Sequence, residues 1–513
     1  MSIYELLETE HGRRVLQLRS PITLEPTGTL VCANREDVAA AVSRARQAQP
    51  AWAALSLAER AVYMDAALQV MMDRADDIVE RVVAETGKAR ADAFSMEVWS
   101  CCDSLCYYAK NAKKFLKPQY KRVHGVLGVT KKVKINYKPL GVAGIIVPWN
   151  GPVVLGMNPA VQALMAGNSV LIKASEVTPY STKLVEEIFT EAGLPEGVLQ
   201  VLLGDGETGA LLCEAGVDKI AFTGSVNTGR KVAEACARQL IPCTLELGGK
   251  DAMIVCDDAD LDRAAAGAVI GSCMNTGHYC CGTERIYVVE RVYDEFLAKV
   301  VALVKTLRQG SDLGYEEDVG AVFWDRQMSI IEDHLQDAVA KGARIVAGGA
   351  RNPNLAGLYF QPTVMTEVDH GMKIMTDETF GPIVCIQRVK DEHEALRLAN
   401  DSRYGLSGNV WSKNTRHAVE LAEQVETGSI SVNDMAMTYG IPVAPFGGVK
   451  ESGVGRVNGE AGIRGYCHTV PILIERFGGK NLPSGYPYSA KKIEGMKKFM
   501  RLLWGTPLGK WLS

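Results

Sequence analysis

Residues 141–147 read GVAGIIV, 169–174 SVLIKA, 198–204 VLQVLLG and 219–224 KIAFTG: four short apolar runs with turn residues between them. Amphipathic stretches separate or follow them: a helix around Ala160 to Met165, YSTKLVEEIFTEAG (180–193), ETGALLCEAG (207–216) and VNTGRKVAEACARQL (226–240). A continuous apolar run of this length reads as a strand buried on both faces, which happens in parallel sheets covered by helices. Strand alternating with helix this regularly implies an α/β, doubly wound, Rossmann-type sheet. A second α/β run opens near Asp251, with helix-like LDRAAAGAVIGSCMNTG (261–277) and the strand RIYVVE (285–290).

The region around the first run has no charged residue between Lys138 and Lys173, which superficially suggests a membrane span. Pro139, Pro148, Pro152 and Pro159, with five glycines, break it into pieces, whereas a spanning helix wants about 20 continuous apolar residues. Upstream, residues 34–118 carry a helical pattern, with Asn34 and Ser56 as N-caps, each followed by an acid in the first turn. In VTKKVKINYK (129–138), Val133, Ile135 and Tyr137 alternate with Lys134, Asn136 and Lys138, which predicts a half-exposed strand or arm.

The 513 residues are 47% hydrophobic and 23% charged, values of ordinary globular protein that exclude collagen-like, coiled-coil and disordered classes. A net charge of −4 does not advertise a nucleic-acid partner. The charge is uneven: residues 479–513 hold seven basic residues and one acid, +6, against −10 for the remainder. Thirteen cysteines without C-x-x-C pairs, and only eight histidines, give no zinc-ligand spacing, so no metal is expected and the thiols read as reduced, in a cytoplasmic protein. The start, MSIYELLETEHGRR, meets charge too early for a signal-peptide apolar region.

Four loops hold residues able to do chemistry. GSVNTG (224–229) follows a strand and opens a helix; it fits either a phosphate cradle or a plain tight turn. In LELGGKDA (245–252), Glu246 sits among apolar residues and fits either a general base or a structural ion pair. NTGHYCCGTER (275–285) places Cys280 and Cys281 in a Gly-flanked loop before a strand, as nucleophile or as packing thiols. Asn150 of PWN (148–150) ends a buried strand and can donate to an oxyanion.

Together with LIKASEVTP (171–179), ETFGP (378–382), GSISVN (428–433) and PFGGVKESGVGR (445–456), these blocks resemble the aldehyde dehydrogenase superfamily over about residues 25 to 475. The 34 positions between Glu246 and Cys280 match that family. The resemblance implies a cofactor domain (1–120 and 140–248), a catalytic domain (249–455), a β arm for oligomerisation (121–139 and 456–478) and an appended basic tail (479–513). It implies Cys280 as nucleophile, Asn150 with the Cys280 N–H as oxyanion hole, and Glu246 as activator of the hydrolytic water. It also implies Pro148, Trp149, Lys173, Glu176, Gly206, Gly224, Ser225, Glu378 and Phe380 around NAD or NADP. Lys173 and Glu176 would meet ribose hydroxyls, Gly224 and Ser225 the pyrophosphate, and Glu378 and Phe380 the nicotinamide end. A water-activating Glu argues against the branch that transfers the acyl group to CoA, and the three central groups argue against a catalytically silent relative.

Three positions depart from the family pattern: His278 stands for the usual Gln or Glu, Gly282 for a frequent Ala, and Asn158-Pro159 for an Arg or Trp followed by Lys. Losing an Arg there weakens the case for a small carboxylate-bearing semialdehyde, the alternative substrate. Gly151, where a bulky aromatic is common, with Leu155, Cys281, Phe446 and the apolar loop DMAMTYGIPVAP (434–445), suggests a widened apolar tunnel for a long-chain or aromatic aldehyde. Glu176 favours NAD, because its carboxylate repels a 2′-phosphate. The arm implies a homodimer or homotetramer. In the tail, Ile493, Met496, Phe499, Met500, Leu503 and Trp504 share one helical face, opposite most of Lys491, Lys497, Lys498 and Arg501. Such a helix suits an anionic membrane surface, a cover over the substrate mouth, or packing within the oligomer.

Overall fold

In a computed structural model, which describes residues 2–8, 13–310, 314–435, 437–478 and 486–512, the apolar runs of residues 141–246 become parallel strands. Val142–Ile146, Ser169–Lys173, Leu199–Leu202, Lys219–Thr223 and Cys243–Glu246 form a sheet with Val142–Ile146 inside it. The chain moves outward from Val142–Ile146 through Ser169–Lys173 to Leu199–Leu202, then returns to pair Lys219–Thr223 on the other side. At that reversal the carboxyl ends of two neighbouring strands diverge and open a crevice. The segments leaving it are 147–150 and 224–225, two of the four loops singled out by sequence.

The charge-free stretch is explained by burial. All five residues of Val142–Ile146, all five of Ser169–Lys173 and all twelve of the intervening helix Val154–Met165 are buried. A charge anywhere there would need a partner in the core. No helix of the described residues is long and apolar enough to cross a membrane.

Only residues 247–250 separate Cys243–Glu246 from Asp251–Val255, a strand of the second sheet. That sheet has seven strands, in the order Arg344–Ala347, Thr363–Thr366, Ile383–Val389, Thr283–Val289, Asp251–Val255, Gly408–Trp411 and Ser431–Val432. All pairs are parallel except the first. The Cys280 loop enters at the amino end of Thr283–Val289, next to the link that carries the chain out of the first sheet. Gly453–Val454 crosses back to pair antiparallel with Cys243–Glu246, so the stretch 249–455 does not stay within one sheet.

The helical expectation for residues 34–118 needs one correction. Asn34 and Ser56 do cap helices, Arg35–Ala54 and Leu57–Asp73, each in a reciprocal capping box with Asp37 or Glu59. After Ala75–Thr86, however, the chain breaks at Gly87, whose φ of 70° is left-handed, and the helix resumes only at Arg90–Asp92, which continues through a π-helical stretch, Ala93–Trp99, into Ser100–Leu116. The predicted strand within 129–138 takes in the alternating residues and begins at Lys131, because Leu127–Thr130 is a helical turn; Lys131–Pro139 then pairs antiparallel with Cys467–Glu475. A three-stranded antiparallel sheet, Tyr4–Glu8, Arg14–Arg19 and Pro26–Val31, was not anticipated. Of the basic tail, residues 479–485 lie outside the described residues.

Asn168 ties the first sheet to the arm. Its side chain accepts from the Gly141 N–H at 2.8 Å and donates to the carbonyls of Ala163 (3.0 Å) and Tyr466 (3.1 Å), with no exposure. Asn168→Leu would strand the buried Gly141 donor, a loss of about 3 kcal/mol. The urea-unfolding midpoint should fall accordingly, and a midpoint equal to that of the native chain would contradict this account.

Candidate active site

Asn150 is buried at the crevice, and its position is set by groups on three other segments. Lys88 and Glu97 form an ion pair whose side chains are both 0% exposed. Lys88 also donates to the Asn150 carbonyl at 3.1 Å, and the second carboxylate oxygen of Glu97 accepts from the N–H groups of Val153 (3.0 Å) and Val154 (2.9 Å). Asn275 donates to the same Asn150 carbonyl at 2.9 Å and to the His278 carbonyl at 2.8 Å. The Asn150 amide in turn donates to the His278 carbonyl at 3.0 Å. An amide nitrogen has two hydrogens, so one remains for another acceptor.

The Cys280 loop is held in an unusual conformation. Asn275, Thr276 and Gly277 have φ of 54°, 57° and 75° in succession, a left-handed run costly for the two non-glycine residues. The Asn275 N–H is fixed by Asp92 at 2.8 Å, and burial lifts the Asp92 carboxyl to about 6. A Cβ at Gly277 would strike the Gly381 carbonyl, so the approach of the 380 loop requires glycine. His278 lies fully buried among Trp149 (5.0 Å), Phe323 (4.5 Å) and Phe380 (5.7 Å), and neither ring nitrogen has a partner. Burial, with the Lys88 charge second, lowers its pKa to about 3. His278 is therefore neutral at working pH and lends Cys280 no positive charge.

Cys280 is half-buried beyond this turn, while Cys281 is 1% exposed. Glu246 ends its strand 6% exposed, and both carboxylate oxygens lack a hydrogen-bond partner. Its pKa is raised well above the usual carboxylate range, first by burial and then by negative charge on Cys280; Arg456 opposes the shift. Burial by itself holds the proton on such a group, and loss of the smaller contribution, the Cys280 charge, would make it easier to ionise. A small cavity of about 10 Å³, room for about one water, touches Glu246, Thr244, Tyr439, Leu155, Pro159 and Phe222.

The cofactor positions gather around the same crevice. The Gly224 N–H donates to the Glu246 carbonyl at 3.0 Å, and Ser225 caps the helix Val226–Gln239, whose positive end favours a phosphate. Lys173 is buried with its ammonium 3.2 Å from Glu176, a cation and an acceptor suited to ribose hydroxyls. A Cβ at Gly206 would meet nothing within 4 Å, which leaves open space at the start of helix Gly206–Glu214. Glu378 accepts from the Gly249 N–H at 3.0 Å, its pKa raised to about 8 by burial and by Glu284. The Phe380 ring stands 5.4 Å from Trp149, which follows Pro148 at the crevice. These groups fit a dinucleotide laid across the strand ends.

The substrate positions differ from expectation. Gly151 does not widen a tunnel, because Val154 and Leu155 stand 3.1 and 3.2 Å from where its Cβ would be. Cys281 and Phe446 belong to an apolar core cluster, and of the four named residues only Leu155 lines the cavity beside Glu246. Asn158 is engaged on both ends: it accepts from Ser104 at 2.8 Å and donates to Asn458 at 2.8 Å and Tyr439 at 3.4 Å. Tyr439, from the apolar loop, packs edge-on against Phe446 at 5.2 Å. Elsewhere, Cys256, Glu392 and His417 bring potential metal-ligand atoms within 4.8 Å of one another, although Glu392 already bonds His417 at 2.6 Å.

A profile of the aldehyde dehydrogenase family matches residues 7–472. The chain belongs to this family. It is accordingly an NAD(P)-dependent aldehyde oxidoreductase. It is 37% identical to a 4,4′-diapolycopene aldehyde oxidase of Methylomonas sp over 464 residues, 90% of this chain and 86% of the relative. It is 39% identical over 465 residues to a putative succinate-semialdehyde dehydrogenase [NADP(+)] of Mycolicibacterium smegmatis, covering 90% and 88%. Among solved structures, a Mycobacterium tuberculosis aldehyde dehydrogenase complexed with NAD+ superposes with a TM-score of 0.86 at 34% identity, covering 91% and 95%. An E. coli NADP-dependent enzyme gives 0.85 at 32%, covering 92% and 96%.

In this aldehyde dehydrogenase the motifs did not disclose Lys88, Glu97, Asp92 or Asn275. Glu97 left one signal, a lone carboxylate inside the run AFSMEVWSCC (93–102). Glu97→Gln leaves the Lys88 charge buried without its counter-charge, a cost of about 4 kcal/mol in unfolding free energy. Loosening the Asn150 loop should also lower kcat on the order of 100-fold. The double change Lys88→Met/Glu97→Met should recover stability in chemical denaturation but not activity. Native kcat in both variants would contradict the positioning role.

Proposed function

We propose that this enzyme oxidises an apolar aldehyde, long-chain or aromatic, to the carboxylic acid, with Cys280, Asn150 and Glu246 as catalytic residues. The observation that carries the reading is Glu246: a buried, unpartnered carboxylate whose pKa is tied to the charge of Cys280. The Cys280 thiolate bonds to the aldehyde carbon, and the free amide hydrogen of Asn150 with the Cys280 N–H holds the resulting oxyanion. NAD(P)+, when bound, supplies the hydride acceptor. Lys173 and Glu176 would hold its ribose, Gly224 and Ser225 its pyrophosphate, and Gly206 would leave room alongside. Pro148, Trp149, Glu378 and Phe380 would enclose the nicotinamide end. With sulfur bonded as a thioester, a Cys280 charge no longer adds to the burial that holds the Glu246 proton, and Glu246 is easier to ionise. Glu246 then takes a proton from water, whose oxygen attacks the acyl carbon and releases the acid and the thiol.

The apolar substrate reading draws support from the diapolycopene aldehyde in the Methylomonas relative's name. The second reading, a small semialdehyde, has the mycobacterial relative's name in its favour. NAD is the preferred cofactor, because Glu176 would repel a 2′-phosphate. We propose also the division into a cofactor domain (1–120, 140–248), a catalytic domain (249–455) and an arm (121–139, 456–478). The arm pairs protomers as a homodimer or homotetramer, in the cytoplasm.

Cys280→Ser should abolish formation of reduced cofactor. Glu246→Gln should release no more than one reduced cofactor per active site and slow steady turnover by about 100-fold or more; undiminished turnover without added thiol or CoA would remove Glu246 from water activation. Where deacylation limits, kcat should rise with pH as Glu246 ionises, through a pKa above the usual carboxylate range, and this limb should vanish in the Gln variant. For decanal, kcat/KM should exceed that for succinic semialdehyde on the order of 100-fold, since a carboxylate would lie unpaired against an apolar wall. The reverse order would support the semialdehyde reading.

A further inference from the structure

The helix Ala490–Gly505 contributes nothing to the core. Ser489 caps it, accepting from the Lys492 N–H at 3.2 Å, and no residue in it is buried. Its apolar side chains face outward: Met496 is 63% exposed, Leu502 62% and Trp504 57%, with Phe499 and Met500 close behind. Lys491, Lys492, Lys497, Lys498 and Arg501 share the same sixteen residues with one acid, Glu494. Tyr486 and Tyr488 stand exposed just before it. An isolated exposed apolar residue needs no explanation, but a whole apolar helix face bordered by cations and interfacial aromatics does.

We infer that this helix is a docking surface for an anionic lipid bilayer. At about 24 Å it is too short and too charged to span one. Lying in the interface plane, it can sink Met496, Phe499 and Met500 among the acyl chains while the lysine stems reach up to the headgroups. Tyr486, Tyr488 and Trp504 suit the headgroup level, where aromatic rings with one polar edge settle. The charge pattern selects the lipid. The rest of the chain is acidic and is repelled by an anionic surface, so attraction must come from the tail, and each lysine near such a surface strengthens partition about fivefold. A nucleic acid would meet the same cations but leave the apolar face in water. The inference goes beyond the proposed reaction and holds whichever aldehyde is oxidised.

The test uses the full-length enzyme and sedimentation with vesicles of phosphatidylcholine alone or mixed with phosphatidylserine. Binding to the mixed vesicles only, weakened at about 0.5 M salt, is expected. Lys497→Gln/Lys498→Gln should weaken it about 25-fold, Phe499→Ser/Trp504→Ser should abolish it, and a chain ending at Gly478 should not bind. All variants should keep the native rate on a short soluble aldehyde, which shows that the body is folded. No sedimentation of the full-length enzyme, or equal sedimentation of the shortened chain, overturns the inference. So does loss of the native oligomer on shortening without any vesicle binding, which would assign the helix to a second copy of the chain. Vesicle binding with no preference for a long-chain aldehyde would leave docking intact and count only against the apolar-substrate reading.

Discussion

Lys88 and Glu97 are two opposite charges with no access to water, and the catalytic crevice is organised around them. A buried ion pair is a poor source of net stability, since desolvation of both groups offsets their attraction. What it supplies here is direction. Lys88 reaches the Asn150 carbonyl, and Glu97 takes the two N–H groups that open the helix Val154–Met165. A helix begins with donors that lack intrahelical acceptors, and a buried beginning must find them elsewhere. Glu97 provides them, Lys88 neutralises Glu97, and the Asn150 loop is held between the two. The left-handed break at Gly87 and the π turn at Ala93–Trp99 are the backbone irregularities that bring these side chains inward from a helical hairpin.

The same logic governs the opposite wall. Asn275 bridges the Asn150 and His278 carbonyls, so Asn150 and the Cys280 loop are parts of one hydrogen-bonded unit. Strain in the left-handed run at 275–277 is tolerated because Asp92, Asn150 and the close approach of Gly381 each hold it. His278 completes the unit as an apolar filler: its ring is packed by Trp149, Phe323 and Phe380, and burial keeps it uncharged. A cation there would have steadied a thiolate, and the neutral ring does not.

The doubly wound sheet was legible because burial on both faces produces continuous apolar runs, and because three of the helices between or after them open on a first-turn Pro or a capping Asp or Ser. Cys280, Glu246 and Asn150 were legible for a different reason: each ends or precedes a buried strand at a glycine-marked turn. The antiparallel strands of residues 4–31 and the return of Gly453–Val454 to the first sheet were not, since those pairings are set by distant partners and leave no local period. The Gly151 expectation failed on packing. A missing side chain makes a tunnel only if its neighbours stay back, and Leu155 instead occupies the space.

Charge also separates the two parts of the molecule. The body places three acids, Glu246 and Asp251 buried and Glu378 half-buried, along the seam where the two sheets meet, each with a pKa pushed upward, first of all by loss of surrounding water. Carboxyls raised in this way hold their protons, so the seam is nearly uncharged and an uncharged chain loses nothing there. The tail, with its cations gathered on an apolar helix, has the complementary preference for an anionic, oily surface. An aldehyde too apolar to diffuse through water would be concentrated at such a surface, so the preferences of seam and tail point to the same class of molecule.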